Sequence, residues 1–470
     1  MPSRSLWRVL IGIALAAPSA SAATARPNVI LIVVDDLRWD DLGAAGHPFA
    51  KTPHSDRLAR EGALFQNMFA TTPLCSPSRA SILTGQYTRR HGILDNTDRS
   101  AKSHALATFP RELQKAGYET AFLGKWHMGN DETRRPGFDH WVAMKGQGEA
   151  VDPLLHENGK SATVKGYVTD ILTERALAFV ARPREKPFFL MLSHKALHPN
   201  VIQRDDGSVV SIGEGGFIPA ERHRTLYADA PLPRRGNYAV PPRGKSALER
   251  PIGNLPPLGP GTVTADETIR DRLRMLAAVD EGLGRILESL EKRGALDDTM
   301  ILLIGDNGYF YGEHGLSEER RLAYEESIRL PLLVRYPRLV RAGSRPAPFA
   351  LTIDLAPTIL ELAGIAAPAS IDGRSLLPIL RGETPAWRTS FLVEYNSDAV
   401  FPRMDRMGYD AVRTLTQKYI RYRELPGMDE MYDLERDPFE LQNLVASRAH
   451  RSLRDQLRTE LDRLVGEAAR

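Results

Sequence analysis

Asn28-Val29-Ile30-Leu31-Ile32-Val33-Val34-Asp35-Asp36 is the stretch whose reading decides the fold. Its unbroken apolar run, rich in β-branched residues, marks a strand buried on both faces, as in parallel sheets covered on both sides. The run stops at two carboxylates. Met300-Ile301-Leu302-Leu303-Ile304 repeats the pattern and delivers Gly305-Asp306-Asn307-Gly308. Thr120-Ala121-Phe122-Leu123 leads into Gly124-Lys125-Trp126-His127, and 187–192 lead into Ser193-His194-Lys195-Ala196-Leu197-His198. Apolar residues at helix spacing over 56–62, 108–117, 168–181 and 267–293 separate these runs. Alternating strands and helices predict an α/β fold with a large, mostly parallel sheet sandwiched by helices. Ligands of such sheets bind beyond the carboxyl ends of the strands, the edge where all four polar endings fall.

Taken singly, each ending is ordinary. Asp-Asp after a strand is often a turn or a helix cap, Asp-Asn-Gly is by default a tight turn, and Lys or His past a strand is commonly a solvated loop residue. Their convergence on one edge is the argument for a site. Asp35, Asp36, Asp306 and Asn307 together offer hard oxygen ligands without a zinc-type cluster, which makes calcium the first choice and magnesium the second.

The 470 residues, 42% hydrophobic and 26% charged, suffice for a large core. A net charge of +3 sets up no global field for nucleic acid, so no nucleic-acid partner is expected. At the N-terminus Arg4 and Arg8 precede an apolar run over 9–17, and Ala20-Ser21-Ala22 supplies small residues for cleavage. Residues 1–22 therefore read as a signal peptide. The apolar run is shorter than the ~20 residues that span a bilayer, so a periplasmic or secreted protein without a stable membrane anchor is expected. The one cysteine, Cys75, has no partner for an internal disulfide.

Further along, 201–261 are rich in proline, glycine and charge, a surface excursion expected to shape a substrate pocket. Arg222, His223 and Arg224 in it either meet an anionic polymer or form a solvated face. A helix is expected over 354–364, with Pro357 in its first turn and Gly364 closing it. Short strands at 391–395, 411–414 and 418–422 predict a small antiparallel sheet. Leu453, Leu457, Leu461 and Leu464 mark one face of a terminal helix. The expected organisation is a catalytic domain over 27–380 and a small C-terminal α+β subdomain over 381–470.

Thr72-Pro73-Leu74-Cys75-Ser76-Pro77-Ser78-Arg79-Ala80-Ser81-Ile82-Leu83-Thr84-Gly85 reads as a loop entering a short helix, with Pro77 in its first turn and Gly85 as its stop. Cys75 then sits just ahead of a helix N-terminus, whose free N–H groups favour an anion. The run from Cys75 to Gly85 resembles the signature of the sulfatase family, the type I, formylglycine-dependent members of the alkaline-phosphatase-like superfamily. The resemblance extends over 28–91, 117–129, 187–198, 300–337 and 352–376, and resumes at Tyr432-Asp433-Leu434-Glu435-Arg436-Asp437-Pro438.

The resemblance implies a sulfuric ester hydrolase whose Cys75 is oxidised by a formylglycine-generating enzyme to an aldehyde used as its hydrate. Asp35, Asp36, Asp306, Asn307 and the modified Cys75 would bind one calcium ion. Arg79 would hold the hydrate, and Lys125 and His127 would contact the hydrate and the sulfate. His198 would protonate the leaving oxygen, with His194 as its understudy because His198-Pro199 lacks the residue that relatives often carry between them. Arg320, four residues before Tyr324 where many sulfatases place a lysine, is assigned to sulfate binding. His314 reads as a turn residue outside the set, and Glu325 and Glu326 as fold supports pairing with Arg329.

Arg135-Pro136-Gly137-Phe138-Asp139 and Lys145-Gly146-Gln147-Gly148 look most like the branch containing N-acetylglucosamine-6-sulfatases and mucin- or glycosaminoglycan-desulfating enzymes. That branch implies a sulfated carbohydrate substrate, a 6-O-sulfated N-acetylhexosamine. The competing readings are a phosphonate or phosphate ester hydrolase of the same superfamily and, with Cys75 unmodified, a protein that binds sulfated glycans without cleaving them.

Overall fold

A computed structural model describes residues 26–212, 216–318, 320–397 and 400–470. The expected signal peptide, 1–22, lies outside the described residues. Among the described residues, the main sheet has nine strands. In chain order they are β1 (Asn28–Val34), β2 (Ala63–Leu64), β3 (Glu119–Lys125), β4 (His140–Met144), β5 (Leu154–Glu157), β6 (Lys160–Thr163), β7 (Phe188–His194), β8 (Thr299–Gly305) and β9 (Leu332–Arg335). The spatial order is β2-β9-β8-β1-β7-β3-β4-β5-β6. From β8 to β4 every neighbouring pair is parallel, and antiparallel strands extend both edges.

Register carries the four apolar runs to a common level. Val34 lies opposite both Gly305 and His194, and Gly124 opposite Ser193. Asp35, Asp306 and Lys125 therefore leave the sheet side by side. Gly124 allows the close approach of β3 and β7 there: at φ 120° it lies in the left-handed half, and a Cβ would sit 1.9 Å from the Ser193 carbonyl oxygen.

The strand period of two splits β1 between two cores. Val29, Leu31 and Val33 pack with α2 (Cys75–Thr84), α3 (Phe109–Lys115) and α6 (Leu355–Leu362), and Ile30, Ile32 and Val34 with α1 (Pro53–Glu61), α4 (Val168–Val180) and α5 (Asp266–Lys292). These helices match the predicted ones to within a few residues. A 3₁₀ turn, Thr352–Asp354, opens the segment in which α6 was expected to begin.

The C-terminal part is an antiparallel meander of β10 (Ser390–Tyr395), β11 (Tyr409–Thr414), β12 (Gln417–Tyr422) and β13 (Glu430–Asp433), covered by α7 (Arg451–Ala468) through Leu457 and Leu461. The sequence reading had no strand at β13. Glu325 and Glu326 do not pair with Arg329 as expected, because their helix ends at Ile328 and Arg329 starts a strand, donating instead to the Gln66 carbonyl. Buried carboxylates need partners from other elements: Glu325 meets Arg413 at 2.9 Å and Lys418 at 3.0 Å, and Glu326 meets Arg235 at 3.0 Å.

The excursion after β7 forms a hairpin of Val201–Gln203 and Val209–Ser211 and a single helical turn, Ser246–Glu249. Arg222 pairs with Asp170 and Glu281, His223 with Glu281, and Arg224 with Glu221, so this cluster is engaged in local ion pairs. Among the described residues, no helix is long and apolar enough to cross a membrane.

Candidate active site

Cys75 is the first residue of α2, with Leu74 as N-cap, rather than lying ahead of the helix as its sequence suggested. Every residue of α2 is buried, and Gly85 closes it at φ 69°. A helix start buried this way points its positive dipole end at its surroundings, while the Ser76 N–H is taken by Asn96 Oδ1 and Pro77 has none to offer. Those surroundings are the ends of the central strands. Cys75 Sγ lies 3.5 Å from Asp35 Oδ1, and ligand atoms of Asp35, Cys75 and Asp306 all lie within 4.8 Å of one another.

Asp306 Oδ1 accepts the backbone N–H of Asp36 at 2.9 Å and that of Asn307 at 2.8 Å, while Asn307 Nδ2 donates to Asp36 Oδ1 at 2.6 Å. Arg79, one helical turn beyond Cys75, spreads its guanidinium over the cluster. Nε donates to Asp306 Oδ2 at 2.9 Å, Nη1 to the Lys125 carbonyl at 2.8 Å and to Ser193 Oγ at 2.5 Å, and Nη2 stands 3.6 Å from Asp35. Lys125 Nζ pairs directly with Asp35 Oδ2, and Arg320 Nε stands 2.6 Å from Asp36 Oδ1.

The protonation of the acids follows from this crowding. Burial would raise Asp35, but Lys125 and Arg79 hold it well below the usual carboxylate range. Burial raises Asp36, with repulsion from Asp35 adding to it against Arg320. Burial and the neighbouring Asp35 and Asp36 push Asp306 up to about 7 despite Arg79. The Cys75 thiol is pushed up by burial and then by Asp35, so an unmodified Cys75 is a poor thiolate in this site.

A divalent cation fits these donors. Among the described residues, Asp36 Oδ2 and Asn307 Oδ1 are buried acceptors without a hydrogen-bond partner. Together with Asp35 and Asp306 they are oxygen donors of the kind that calcium and magnesium take. An ion there would also relieve the mutual repulsion that raises Asp36 and Asp306.

His127 and His198 border the same cluster. His127 Nε2 lies 2.5 Å from Gln203 Oε1, and His198 Nδ1 lies 3.0 Å from the Pro199 carbonyl. Burial lowers both rings well below the ordinary imidazole value, and Lys125 lowers them further. His198 also feels Asp35, Arg320 and Lys195, whereas the shift of His194, down to about 4, comes from burial alone. The charged cluster therefore faces His198 and not His194. Lys195 donates to the Pro199 carbonyl at 2.9 Å, and burial and Lys125 bring it down to about 7. His314 is buried away from these groups against Tyr324 and Asn237.

The structure thus gathers Asp35, Asp36, Cys75, Arg79, Lys125, His127, His198, Asp306, Asn307 and Arg320 at one edge. It adds residues that the sequence reading missed. Arg272 of α5 donates to the backbone carbonyls of Asp36 at 2.6 Å and Leu197 at 2.9 Å, pinning two of the strand endings together. Gln203 and Ser76 contact His127, and Asn96 holds both of them. An arginine on the buried side of a helical stripe was the available signal for Arg272, and membership of the run from Cys75 to Gly85 was that for Ser76; Gln203 and Asn96 carried none.

A family model described as Sulfatase matches residues 27–365, and one described as N-sulphoglucosamine sulphohydrolase, C-terminal, matches 312–467. The chain is 34% identical to the N-acetylglucosamine-6-O-sulfatase of Bacteroides thetaiotaomicron over 90% of this chain and 83% of that protein. It is 29% identical to the N-acetylglucosamine-6-sulfatase of Homo sapiens, over 94% of this chain and 85% of the human one. A solved structure of a protein in complex with its substrate D-glucosamine-2-N,6-O-disulfate superposes with a TM-score of 0.82 at 31% identity, covering 94% of this chain and 98% of that one.

Proposed function

Because the chain belongs to the sulfatase family and is thereby a sulfuric ester hydrolase, we propose that it removes the 6-O-sulfate of an N-acetylglucosamine unit in a glycosaminoglycan or mucin glycan. The observation that carries the reading is the convergence of Cys75, Asp35 and Asp306 with Arg79, Lys125, His127 and His198 at one sheet edge. The names of the similar proteins, two of them N-acetylglucosamine-6-sulfatases, support the choice of sugar. Residues 1–22 would export the chain to the periplasm or beyond, and 27–380 and 381–470 would form its catalytic domain and smaller companion.

In this reading Asp35, Asp36, Asp306, Asn307 and residue 75 would hold one calcium ion, which would supply Lewis-acid polarisation of the sulfate. Oxidised to formylglycine by a dedicated generating enzyme, residue 75 supplies two hydroxyls on one carbon, a nucleophile that regenerates itself. The remaining work falls to this chain's side chains. Lys125 and Arg320 set fixed positive charge against the oxygens of the sulfate, and Arg320 does so with a rigid fork where a lysine would offer a point charge. Arg79 holds the start of α2 against Asp306 and keeps residue 75 in register with the acids. The Pro199 carbonyl only accepts, so His198 keeps its hydrogen on Nδ1 and, while neutral, presents a bare Nε2. An anionic ester entering beside it raises its proton affinity, and the proton it then gains on Nε2 goes to the leaving oxygen.

Two results test this. A panel of defined sulfated mono- and oligosaccharides is expected to show sulfate release from 6-O-sulfated N-acetylglucosamine; release from other sulfates with none from any 6-O-sulfated hexosamine would remove the assignment. Chelation is expected to lower turnover roughly 100-fold or more, in keeping with the several kcal/mol a Lewis acid contributes. It is also expected to lower the melting temperature, with calcium restoring both better than magnesium. A fully chelated, metal-free protein with undiminished turnover would contradict the calcium site.

A further inference from the structure

We infer that Gln203, carried in by the excursion after β7, is a positioning residue that fixes the hydrogen of His127 on Nε2 and leaves Nδ1 as the bare acceptor. The inference rests on the reading that His127 serves the reaction at residue 75.

The direction of each hydrogen bond is dictated from the backbone outward. Gln203, 6% exposed, donates from Nε2 to the carbonyl oxygen of Asn96. A carbonyl only accepts, so the amide cannot flip and its Oε1 must face the other way. There Oε1 meets His127 Nε2 at 2.5 Å and Gln147 Nε2 at 3.1 Å, one donor for each of its lone pairs. An amide oxygen cannot donate, so His127 Nε2 carries the hydrogen. On the other side of the ring, Nδ1 lies 3.4 Å from Ser76 Oγ, but that hydroxyl donates its hydrogen to the His127 carbonyl at 2.6 Å. Nδ1 is left with its lone pair free, next to the residue that follows Cys75.

Asn96 joins the two halves. Its Oδ1 accepts the backbone N–H of Ser76 at 3.1 Å while its carbonyl anchors Gln203. The start of α2 and the orientation of His127 therefore share one buried support. Because Gln203 is uncharged, it orients the ring without stabilising the imidazolium as a carboxylate partner would.

The test is steady-state kinetics on the sulfated sugar and on an aryl sulfate, with ¹⁵N NMR of the histidine-labelled full chain. The wild-type spectrum is expected to show His127 protonated on Nε2. Gln203→Met, which keeps the shape and removes the acceptor, is expected to lower kcat roughly 10- to 100-fold with KM changed by less than about twofold. Gln203→Glu keeps an acceptor on His127 but cannot donate to Asn96 and sets a charge beside the ring, so it is expected to recover only part of that kcat and to move the pH dependence of kcat to higher pH, a shift a purely structural role would not produce. A wild-type ring protonated on Nδ1, or Gln203→Met with unchanged kcat, would overturn the inference; the first of these is read without any variant having to fold. His127→Ala run alongside separates the two levels: if it retains wild-type kcat, the assigned role of His127 falls, whereas an inactive His127→Ala beside a fully active Gln203→Met removes only the role of Gln203.

Discussion

Cys75→Ala is expected to lose roughly 10⁴-fold or more in kcat/KM on sulfate esters, the scale on which removal of an enzyme's nucleophile is felt. The fold should tolerate the change. Cys75 is fully buried at the first position of α2, where alanine keeps the helix and gives up one sulfur atom's packing, about 1 kcal/mol. A normal melting temperature with lost turnover is therefore the expected combination. Cys75→Ser is expected to be almost as poor, because a single hydroxyl provides the attack but not the second group that expels sulfate. Mass spectrometry of the wild-type peptide containing Cys75, from a host with the modifying enzyme, is expected to show an aldehyde in place of the thiol. A retained thiol in an active preparation would contradict the assignment.

Arg79→Met is expected to cost about 3–5 kcal/mol of stability in addition to activity, the range for removing one partner from a buried charge cluster. Arg79 is 1% exposed and satisfies Asp306, the Lys125 carbonyl and Ser193 at once. Without it Asp306 keeps its neighbours Asp35 and Asp36 and loses its counter-charge. Arg79→Lys is not expected to rescue, since a single ammonium cannot reproduce a planar fork bonded in three directions. Thermal unfolding with and without added calcium measures this. An unchanged melting temperature for Arg79→Met would show that the cluster does not depend on the guanidinium.

The legible parts of this molecule were those where local pattern and tertiary role coincide. Strands β1, β7 and β8 are buried on both faces, so their apolar runs continue to the sheet edge; Asp35 and Asp306 follow β1 and β8 at once, while Ser193 and His194 end β7 and His198 comes four residues later. Helix α2 was legible through Pro77 in its first turn and Gly85 at its stop, although the helix takes in Cys75 itself. Gln203 was not legible, because it belongs to a three-residue strand in a polar excursion and acquires meaning only against Asn96 and His127. Arg272 sits in a helix dense with arginine, where charge reads as solvent exposure, yet it is fully buried against two loop carbonyls and Tyr309. Glu325 and Glu326 were misassigned for the same reason: a partner four residues away on the chain is visible in sequence, and partners such as Arg413 and Arg235 are not.

Catalysis of sulfate transfer by the group at position 75 is tested most directly by kcat/KM measured side by side on an aryl sulfate and the matching aryl phosphate, for the wild-type chain and Cys75→Ala. Faster turnover of the sulfate, abolished in the variant, is the predicted result. Faster turnover of the phosphate, or sulfate turnover that survives the loss of Cys75, would contradict it.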